Sequence, residues 1–388
     1  MRVQVGIVGA GPAGLLLARL LGLRGIECAV LELRSRAHCE SRVRAGVLEQ
    51  GTVDTLDDVG VSRRLHAEGQ RHEGIELRFG GGRHRIAFES LVPGRAITVY
   101  GQQEVVKDLN AAVLAQGTPI HFGVTDVQPH AIDTDHPYLT FDGQRLDCDF
   151  IAGCDGSHGI CRPSIPDGSL DYFVRDYPFA WLGVLAAVAP SARELIYSQH
   201  DNGFALHSMR SSTVSRFYLQ VARDADRSQW PDTRIWEELA RRLETVPGFT
   251  LRAGPIISTD LTPMRSLVAE PMRHGRLFLA GDAAHIVPPT GAKGLNLAVA
   301  DVRLLADAIA DWYAGDPTGV DTYSRRCLRR VWRAQHFSWW LTTLLHTFDT
   351  DDSYARRLRT AHLDYVVSST AAATTLAENY VGLPLPTR

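Results

Sequence analysis

The first 32 residues carry the pattern that most restricts the fold of this 388-residue chain. Apolar runs predict a buried strand over Val3–Val8 and a second over Cys28–Glu32, and the periodicity between them predicts a helix over Gly11–Arg24. A strand, a helix and a second strand in this order are typical of a βαβ unit. The chain is therefore expected to begin with a parallel sheet that is covered by helices.

The turn between the first strand and the helix is rich in glycine. Gly9, Gly11 and Gly14 have the GxGxxG spacing, which gives a tight turn, lets a pyrophosphate approach the backbone and packs the helix on the strand. Glu32, at the end of the second strand, is placed to accept hydrogen bonds from ribose hydroxyls. The unit predicts a dinucleotide site, and by itself it leaves NAD and FAD both open.

Residues 277–301 favour a flavin at that site. A strand predicted over Leu277–Ala280 ends at a Gly-Asp pair (281–282), two successive prolines (288–289) form a rigid loop, and a helix begins near Gly294. A carboxylate at a strand end suits the hydroxyls of a ribityl chain. A helix N-terminus favours the anionic edge of a reduced flavin. FAD is the cofactor that needs these features together.

Composition excludes several other classes of function. A formal net charge of −3 provides no basic surface for nucleic acid or for an anionic membrane. The six cysteines form no CxxC pair and no ligand spacing with histidines, so no metal is expected and free thiols in a reducing compartment are favoured. The apolar run Leu15–Leu23 is too short to cross a bilayer, and a strand begins too close to Met1 for a signal peptide. We expect a cytoplasmic enzyme.

The predicted secondary structure changes along the chain. Residues 177–263 contain short β-rich segments separated by turn residues, and the last hundred residues are helical and rich in tryptophan and arginine. The predicted fold is α/β (α+β), with a Rossmann-like FAD-binding domain at 1–176 that returns at 264–300. An antiparallel β-sheet substrate domain is inserted at 177–263, and a helical C-terminal dimerisation region occupies 301–388.

Together with these motifs, six segments closely resemble the single-component flavoprotein aromatic hydroxylases, nearly end to end. They are RVRAGVLEQGTVD (42–54), VYGQQEV (99–105), DCDFIAGCDGSHGICR (147–162), YPFAWLG (177–183), LRRVWRAQHFSWW (328–340) and AENYVGLP (377–384). The Asp155-Gly156 pair in the third segment, taken alone, is best interpreted as an ordinary surface turn. In this context it is expected to lie beside the nucleotide.

The resemblance implies a reaction that the cofactor carries out. NAD(P)H reduces FAD, O2 adds to give a flavin C4a-hydroperoxide, and that species hydroxylates a phenol ortho to its oxygen. The substrate-side residues resemble those of family members that convert 4-hydroxybenzoate to protocatechuate (3,4-dihydroxybenzoate). The expected partners are therefore a small aromatic acid and, by family resemblance, a second copy in a homodimer, with no nucleic acid and no membrane.

The same resemblance assigns the substrate residues. Arg210 would pair with the substrate carboxylate, supported by Ser208 and Tyr218, while Tyr197 would accept the phenol proton and Tyr380 would relay it. Singly, each tyrosine is more typical of a core residue with a bonded hydroxyl, and Arg210 of a solvated strand arginine.

Four further positions complete the substrate side. Pro289 would direct its carbonyl at the phenol, Thr290 and Asn296 would border the ring and flavin, and His72 would be a surface histidine that ends the proton relay.

The cofactor positions also follow from the resemblance. The FAD contacts would be Gly9, Gly11, Gly14, Glu32, Arg42, Arg44, Gln102, Asp155, Asp282, Lys293, Gly294, Leu295 and Asn296. The NAD(P)H contacts would be Arg34, His38, Arg44, His158, Arg162 and Arg265. Arg44 and Arg216 would border the space in which the flavin moves between an exposed and a buried position.

The segment 33–40 departs from the NADPH-using members of the family. Leu33 and His38 replace an arginine and a tyrosine, and Glu40 would repel a 2′-phosphate if it pointed inward, whereas Arg34 and Arg36 could bind one. NADPH is the favoured donor and NADH the alternative.

Three other functions stay open on the sequence. They are a sister hydroxylase acting on another hydroxy- or aminobenzoate, a Rossmann-type NAD dehydrogenase, and a non-catalytic FAD protein that binds aromatic acids. A second glycine-rich nucleotide fingerprint would favour the dehydrogenase, and the chain carries none.

Overall fold

The computed structural model describes residues 1–42 and 46–385. Its strands are β1 Val5–Val8, β2 Cys28–Glu32, β3 Val47–Glu49, β4 Gln70–His72, β5 Gly74–Phe79, β6 Gly82–Ala87, β7 Ile97–Val99, β8 Ile120–Phe122, β9 Gln128–His130, β10 Tyr138–Phe141, β11 Gln144–Asp147, β12 Phe150–Gly153, β13 Asp171–Ala186, β14 Leu195–Ser198, β15 Ala205–Met209, β16 Ser215–Ala222, β17 Ile256–Glu270, β18 Arg273–His274, β19 Leu277–Leu279 and β20 His285–Ile286. Its α-helices are α1 Pro12–Gly22, α2 Arg36–Ser41, α3 Gln50–Asp58, α4 Arg63–Glu68, α5 Phe88–Leu91, α6 Gln102–Ala115, α7 Asp232–Leu243, α8 Gly294–Tyr313, α9 Thr318–Leu345, α10 Ser353–Ser368 and α11 Thr370–Val381.

β1 lies inside a largely parallel sheet with the strand order β18-β19-β12-β1-β2-β8. It pairs in parallel with β2 and with β12, and α1 lies against α6 and α8. The sequence prediction of a Rossmann-like βαβ opening is confirmed, and β2 has the predicted bounds. The core of this unit is aliphatic because parallel strands are covered on both faces.

A second sheet has the order β20-β17-β13-β16-β15-β14-β5-β6 and is antiparallel except where β14 pairs with β5. One face packs against α7, and the other packs against the C-terminal helices α9, α10 and α11. Strands from 74–87 join this sheet, and β13 and β17 extend beyond residues 177 and 263. The sheet is therefore larger than the predicted 177–263 segment, and the division into domains stays a prediction.

The C-terminal part is helical, as predicted. α9 runs beside α8, and α11 returns to contact α5 and β6, which brings the last described helix to the second sheet. In the described part of the chain, no helix combines the length and the apolar character that crossing a membrane requires.

Candidate active site

The glycine turn after β1 is shaped for a phosphate group. Gly9 has φ +103, and a Cβ there would lie 2.5 Å from the carbonyl oxygen of Cys154, so only glycine fits. A Cβ at Gly14 would collide with the carbonyl of Gly9, which explains the close contact of helix and strand. A Cβ at Gly11 would have no neighbour within 4 Å. Gly11 is the N-cap of α1 and offers no side chain to bond the first N–H groups of the helix. The N–H groups of the first turn of α1 are left for an anion.

Glu32 is held beside that turn. One carboxylate oxygen accepts from the backbone N–H of Ala10 at 2.7 Å, and the other accepts from the N–H of Arg34 at 2.7 Å. The carboxylate is thereby fixed at the end of β2, where a ribose hydroxyl of FAD would approach. Gln102 begins α6 and Arg42 follows α2, while Arg44 lies outside the described residues.

The Asp155-Gly156 turn follows β12. The Asp155 carboxylate accepts from the N–H of Cys161 at 2.8 Å, and burial raises the pKa of Asp155. Arg162 donates to the carbonyls of Ser157 and Ala283, each at 2.9 Å, so it fastens this turn to the Gly-Asp turn after β19. Arg162 and His158 were predicted to bind NAD(P)H. In the structure His158 is exposed next to Ser157, and Arg162 is bound to main-chain carbonyls.

The segment predicted to face the flavin has the expected parts. Asp282 lies in a 3-10 turn, and one of its carboxylate oxygens is 4.0 Å from the position of a Cβ on Gly294 at the start of α8. A second 3-10 turn, Pro289–Gly291, leads through Ala292 at φ 53 into α8, whose N-terminus has no side-chain cap. A carboxylate and free helix N–H groups thus meet in one place, which suits the ribityl chain and pyrimidine edge of FAD.

A buried pair of side chains, Asp301 and His285, holds the Gly-Asp turn in place. Asp301 accepts from the N–H of Gly281 at 3.0 Å and lies 2.6 Å from Nε2 of His285. Burial opposes a charge on His285, but the contact with Asp301 raises its pKa above the usual value. The pair fixes the turn that carries Asp282.

Lys293 joins three distant segments. Its ammonium pairs with Glu49 at 2.6 Å and donates to the carbonyls of Asn379 and Tyr380, while Arg330 binds the other oxygen of Glu49 at 2.9 Å. Burial lowers the pKa of Lys293, and Glu49 opposes that shift. Glu49 and Arg330 were not predicted from the sequence, although both lie in segments that carry the family resemblance.

The side-chain amide of Asn296 forms its hydrogen bonds with other residues of the protein. Its side-chain oxygen accepts from the N–H of Glu49 and from the hydroxyl of Thr52, and its amide donates to the carbonyls of Val47 and Ala292. It fastens α8 to β3 and α3. Its predicted contact with the ring and flavin stays a prediction, as does that of Leu295 one residue earlier.

The two predicted tyrosines are brought together from β14 and α11. The hydroxyls of Tyr197 and Tyr380 are hydrogen-bonded to each other, and the Tyr197 hydroxyl lies 3.3 Å from the carbonyl of Thr290. Both side chains are buried, which raises the pKa of each phenol. The carbonyl beside the pair belongs to Thr290, while that of Pro289 accepts from the N–H of Ala292 and closes the 3-10 turn, so its predicted contact with the phenol stays a prediction.

Arg210, Ser208 and Tyr218 form the predicted set on the same sheet. Arg210 follows β15, and its Nη1 donates to the Ser208 hydroxyl at 3.0 Å and the Met209 carbonyl at 2.8 Å, while Nη2 lies 3.5 Å from the Tyr218 hydroxyl. Burial lowers the pKa of Arg210. No carboxylate of the described residues pairs with it, and its Nε is shielded without an acceptor. A guanidinium in this setting calls for an anionic ligand.

His72 does not lie at the surface. It ends β4 with 2% of its surface exposed, and neither ring nitrogen has a hydrogen-bond partner in the described protein. Burial lowers its pKa to about 4, so the ring is neutral near pH 7. The prediction of a surface histidine is wrong: β4 is an edge strand that exposes Arg71, but the neighbouring His72 lies on the buried face of the strand. Its part in proton transfer stays a prediction.

An aromatic stack that the sequence analysis missed supports Tyr218. The ring of Trp181 lies 4.8 Å from that of Tyr218, and its N–H donates to Nε2 of His346 at 2.7 Å. The other ring nitrogen of His346 lies 3.0 Å from the Thr342 carbonyl, and burial lowers the pKa of His346 to about 3. With one nitrogen accepting and one donating, the ring is a neutral and fixed part of the site.

The described residues predicted to bind NAD(P)H belong to three different segments, of which the Asp155-Gly156 turn with His158 and Arg162 is one. Arg34 and His38 are exposed near α2, and Arg265 lies on β17. Arg36 pairs with Glu40 at 2.6 Å, and Glu40 also accepts from Asn110 on α6 at 3.2 Å. Glu40 is therefore turned toward α6 and its charge is compensated.

Known proteins share the family and the fold of this chain. The model of the FAD binding domain family matches residues 2–338. The p-hydroxybenzoate hydroxylase of Acinetobacter baylyi is 50% identical, and the alignment covers 99% of this chain and 96% of that protein. A probable NADH-specific resorcinol 4-hydroxylase of Rhodococcus jostii is 28% identical over 83% of this chain and 61% of its own length. The structure of p-nitrophenol 4-monooxygenase from Pseudomonas putida superposes with a TM-score of 0.81, 21% identity and 99% of both chains covered, which shows the shared fold.

Proposed function

Because this chain belongs to the FAD binding domain family and is an FAD-dependent aromatic hydroxylase, we propose that it hydroxylates 4-hydroxybenzoate at C3 to give protocatechuate. One observation carries the choice of substrate. Arg210 has no carboxylate partner in the described residues, and it shares the face of the second sheet with Tyr197 and, through it, Tyr380. A carboxylate at one end of the ligand and a phenol at the other would satisfy both groups.

The register of the sheet supports a ligand of this length. Tyr197 on β14 lies opposite Leu206 on β15, which lies opposite Tyr218 on β16. The two tyrosines are therefore two strands apart, about 10 Å across the sheet. A benzoate whose carboxylate reaches Arg210 beside Tyr218 would direct its para substituent toward Tyr197.

FAD, when bound, supplies the chemistry, because it takes a hydride from NAD(P)H and activates O2. The protein residues bind and orient the phenol and move its proton. The phenol hydroxyl would give its proton to Tyr197 as Tyr197 gives its own to Tyr380 along their hydrogen bond, and Tyr380 would release its own proton to the relay that His72 is predicted to end. A neutral pair of buried phenols can do this, since burial raises the pKa of both.

NADPH is proposed as the preferred donor. Glu40, which would repel a 2′-phosphate, is bound by Arg36 and Asn110, and Arg34 is an exposed cation beside Glu32. NADH stays the alternative, because Arg36 is occupied by Glu40, which leaves Arg34 as the one of these two arginines that could bind the phosphate.

The first test is steady-state turnover of the FAD-loaded protein. We expect 4-hydroxybenzoate to stimulate NADPH oxidation at least several-fold, with protocatechuate as the product, and NADH to be used less efficiently. Stimulation by another hydroxy- or aminobenzoate, with a different product, would assign the chain to a sister activity. Ligand binding with neither product nor peroxide would identify a binding protein.

Replacement of Arg210 tests the carboxylate site. Arg210→Ala should raise the Kd of 4-hydroxybenzoate by roughly 100-fold, about 3 kcal/mol, because the ligand loses its charged partner in a half-buried site. Titration of the flavin absorbance measures this without turnover. Arg241→Ala, at an exposed arginine of α7, is the control and should leave the Kd unchanged. An Arg210→Ala protein that binds as tightly as the parent would contradict the assignment.

Replacement of Tyr197 separates binding from proton transfer. Tyr197→Phe should keep the Kd within about threefold, since a hydroxyl hydrogen bond contributes only about 1 kcal/mol, but NADPH oxidation should release peroxide in place of product. Tyr177→Phe removes a hydroxyl from another buried tyrosine of the same sheet and should stay coupled. A coupled Tyr197→Phe enzyme would exclude the proposed proton path.

A homodimer is also proposed. Trp332 and Trp339 are exposed seven residues apart on one face of α9, Phe173 contacts Trp332 at 5.4 Å, and Tyr354 and Tyr365 are exposed on α10. A group of exposed aromatic side chains of this kind is typical of an interface between copies.

Light scattering should therefore give twice the chain mass of 42.7 kDa. The double replacement Trp332→Glu and Trp339→Glu should shift the protein toward monomer, while Leu114→Glu, at an exposed leucine of α6, should not. A parent protein that is monomeric at micromolar concentration would refute the proposal.

A further inference from the structure

The substrate face of the second sheet carries a second guanidinium, and the two differ in their partners. Arg216 on β16 is buried and forms an ion pair with Asp260 on β17, while Arg210 has no carboxylate among the described residues. Both contact Tyr218. Nη2 of Arg210 lies 3.5 Å from its hydroxyl, and the guanidinium carbon of Arg216 lies 5.0 Å from the centre of its ring. Two cations thus meet around one tyrosine, and one of them is neutralised.

The pair between Arg216 and Asp260 is built into the register of three strands. Tyr218 on β16 lies opposite Gly183 on β13, which lies opposite Asp260 on β17. Arg216 reaches across β13 because Gly183 has no side chain. A Cβ there would collide with Nη2 of Arg216 and lie 2.9 Å from an oxygen of Asp260. The hydroxyl of Thr262, at 3.2 Å, donates to the second oxygen of Asp260 and orients it.

The charge available to a ligand follows from this arrangement. Without Asp260, two guanidiniums beside Tyr218 would offer a net charge of +2 to any ligand on this face. With Asp260 present, the net charge is +1 and it lies at Arg210. A ligand with one carboxylate matches that charge, whereas a second carboxylate would have to compete with Asp260 for Arg216 and would be repelled by it.

We infer that Asp260 is a specificity-determining residue, which restricts the site to aromatic acids with a single carboxylate by occupying Arg216. This inference rests on the proposed function, since it refines the class of substrate for the same site. The side chain of Asp260 is half exposed whereas that of Arg216 is buried, so removal of the carboxylate strands a cation in the interior. A dianionic ligand would then be favoured because it supplies the missing partner.

The test compares two ligands on the FAD-loaded protein without a reductant. Kd values for 4-hydroxybenzoate and for 4-hydroxybenzene-1,2-dicarboxylate are measured by flavin absorbance at low ionic strength. In Asp260→Asn we expect the ratio of the two values to shift about tenfold toward the dicarboxylate, as one added unit of net charge in a partly desolvated site implies. Asp260→Glu should restore the parent ratio.

Asp176→Asn is the matched control. Asp176 on β13 pairs at 2.9 Å with Arg223, which directly follows β16 in the same sheet, and both side chains are exposed. In Asp176→Asn the ratio of the two Kd values should equal that of the parent protein, because an exposed ion pair is screened by solvent. Circular dichroism and FAD content establish that each variant is folded, and Asp260→Ser takes the place of Asp260→Asn if the latter does not retain FAD.

The outcomes separate the two proposals. An unchanged ratio in Asp260→Asn, or an equal loss of affinity for both ligands, would overturn the role of Asp260 and leave the proposed function standing. A parent protein that binds neither ligand would overturn both.

Discussion

The site depends on one carboxylate that is shared by two cations. Glu49 binds Lys293 through one oxygen and Arg330 through the other, and Lys293 also donates to the backbone at Tyr380. These contacts join β3, the start of α8, α9 and the end of α11, which are far apart in the chain. Burying an ion pair costs desolvation free energy, so these contacts position the connected elements more than they stabilise the fold. It holds the helix that carries Tyr380 against the loop that would face the flavin.

Around that centre, most of the polar groups are kept neutral and fixed by burial. Tyr197 and Tyr380 share a hydrogen bond, and His346 accepts from Trp181 while its second nitrogen faces a carbonyl. Burial raises the pKa of the two phenols and lowers that of the imidazole. Such groups do not change charge near pH 7, which leaves a ligand phenol as the group whose protonation state the site can alter.

The local elements of the fold could be predicted from the sequence, whereas contacts between distant elements could not. Apolar periodicity gave β2 and the start of α8, and glycine spacing located the turn after β1 beside Glu32. The roles of the substrate residues came from family resemblance. His72 was misplaced because the burial of one face of β4 depends on contacts with other parts of the chain, which its own three-residue segment does not reveal. Glu49, His346 and Asp260 were missed for the same reason, since their partners lie 44 to 281 residues away.

The expected cofactor and the proposed substrate are both anions, whereas the chain itself is slightly acidic, with a net charge of −3. The positive potential is therefore local. Helix N-termini without side-chain caps supply it where FAD is expected to bind, and Arg210 supplies it where the substrate carboxylate is proposed to bind. A half-buried guanidinium without a carboxylate costs free energy in the ligand-free protein, and a bound carboxylate recovers that cost. Asp260 already neutralises Arg216, so the proposed specificity is for one carboxylate, bound at Arg210.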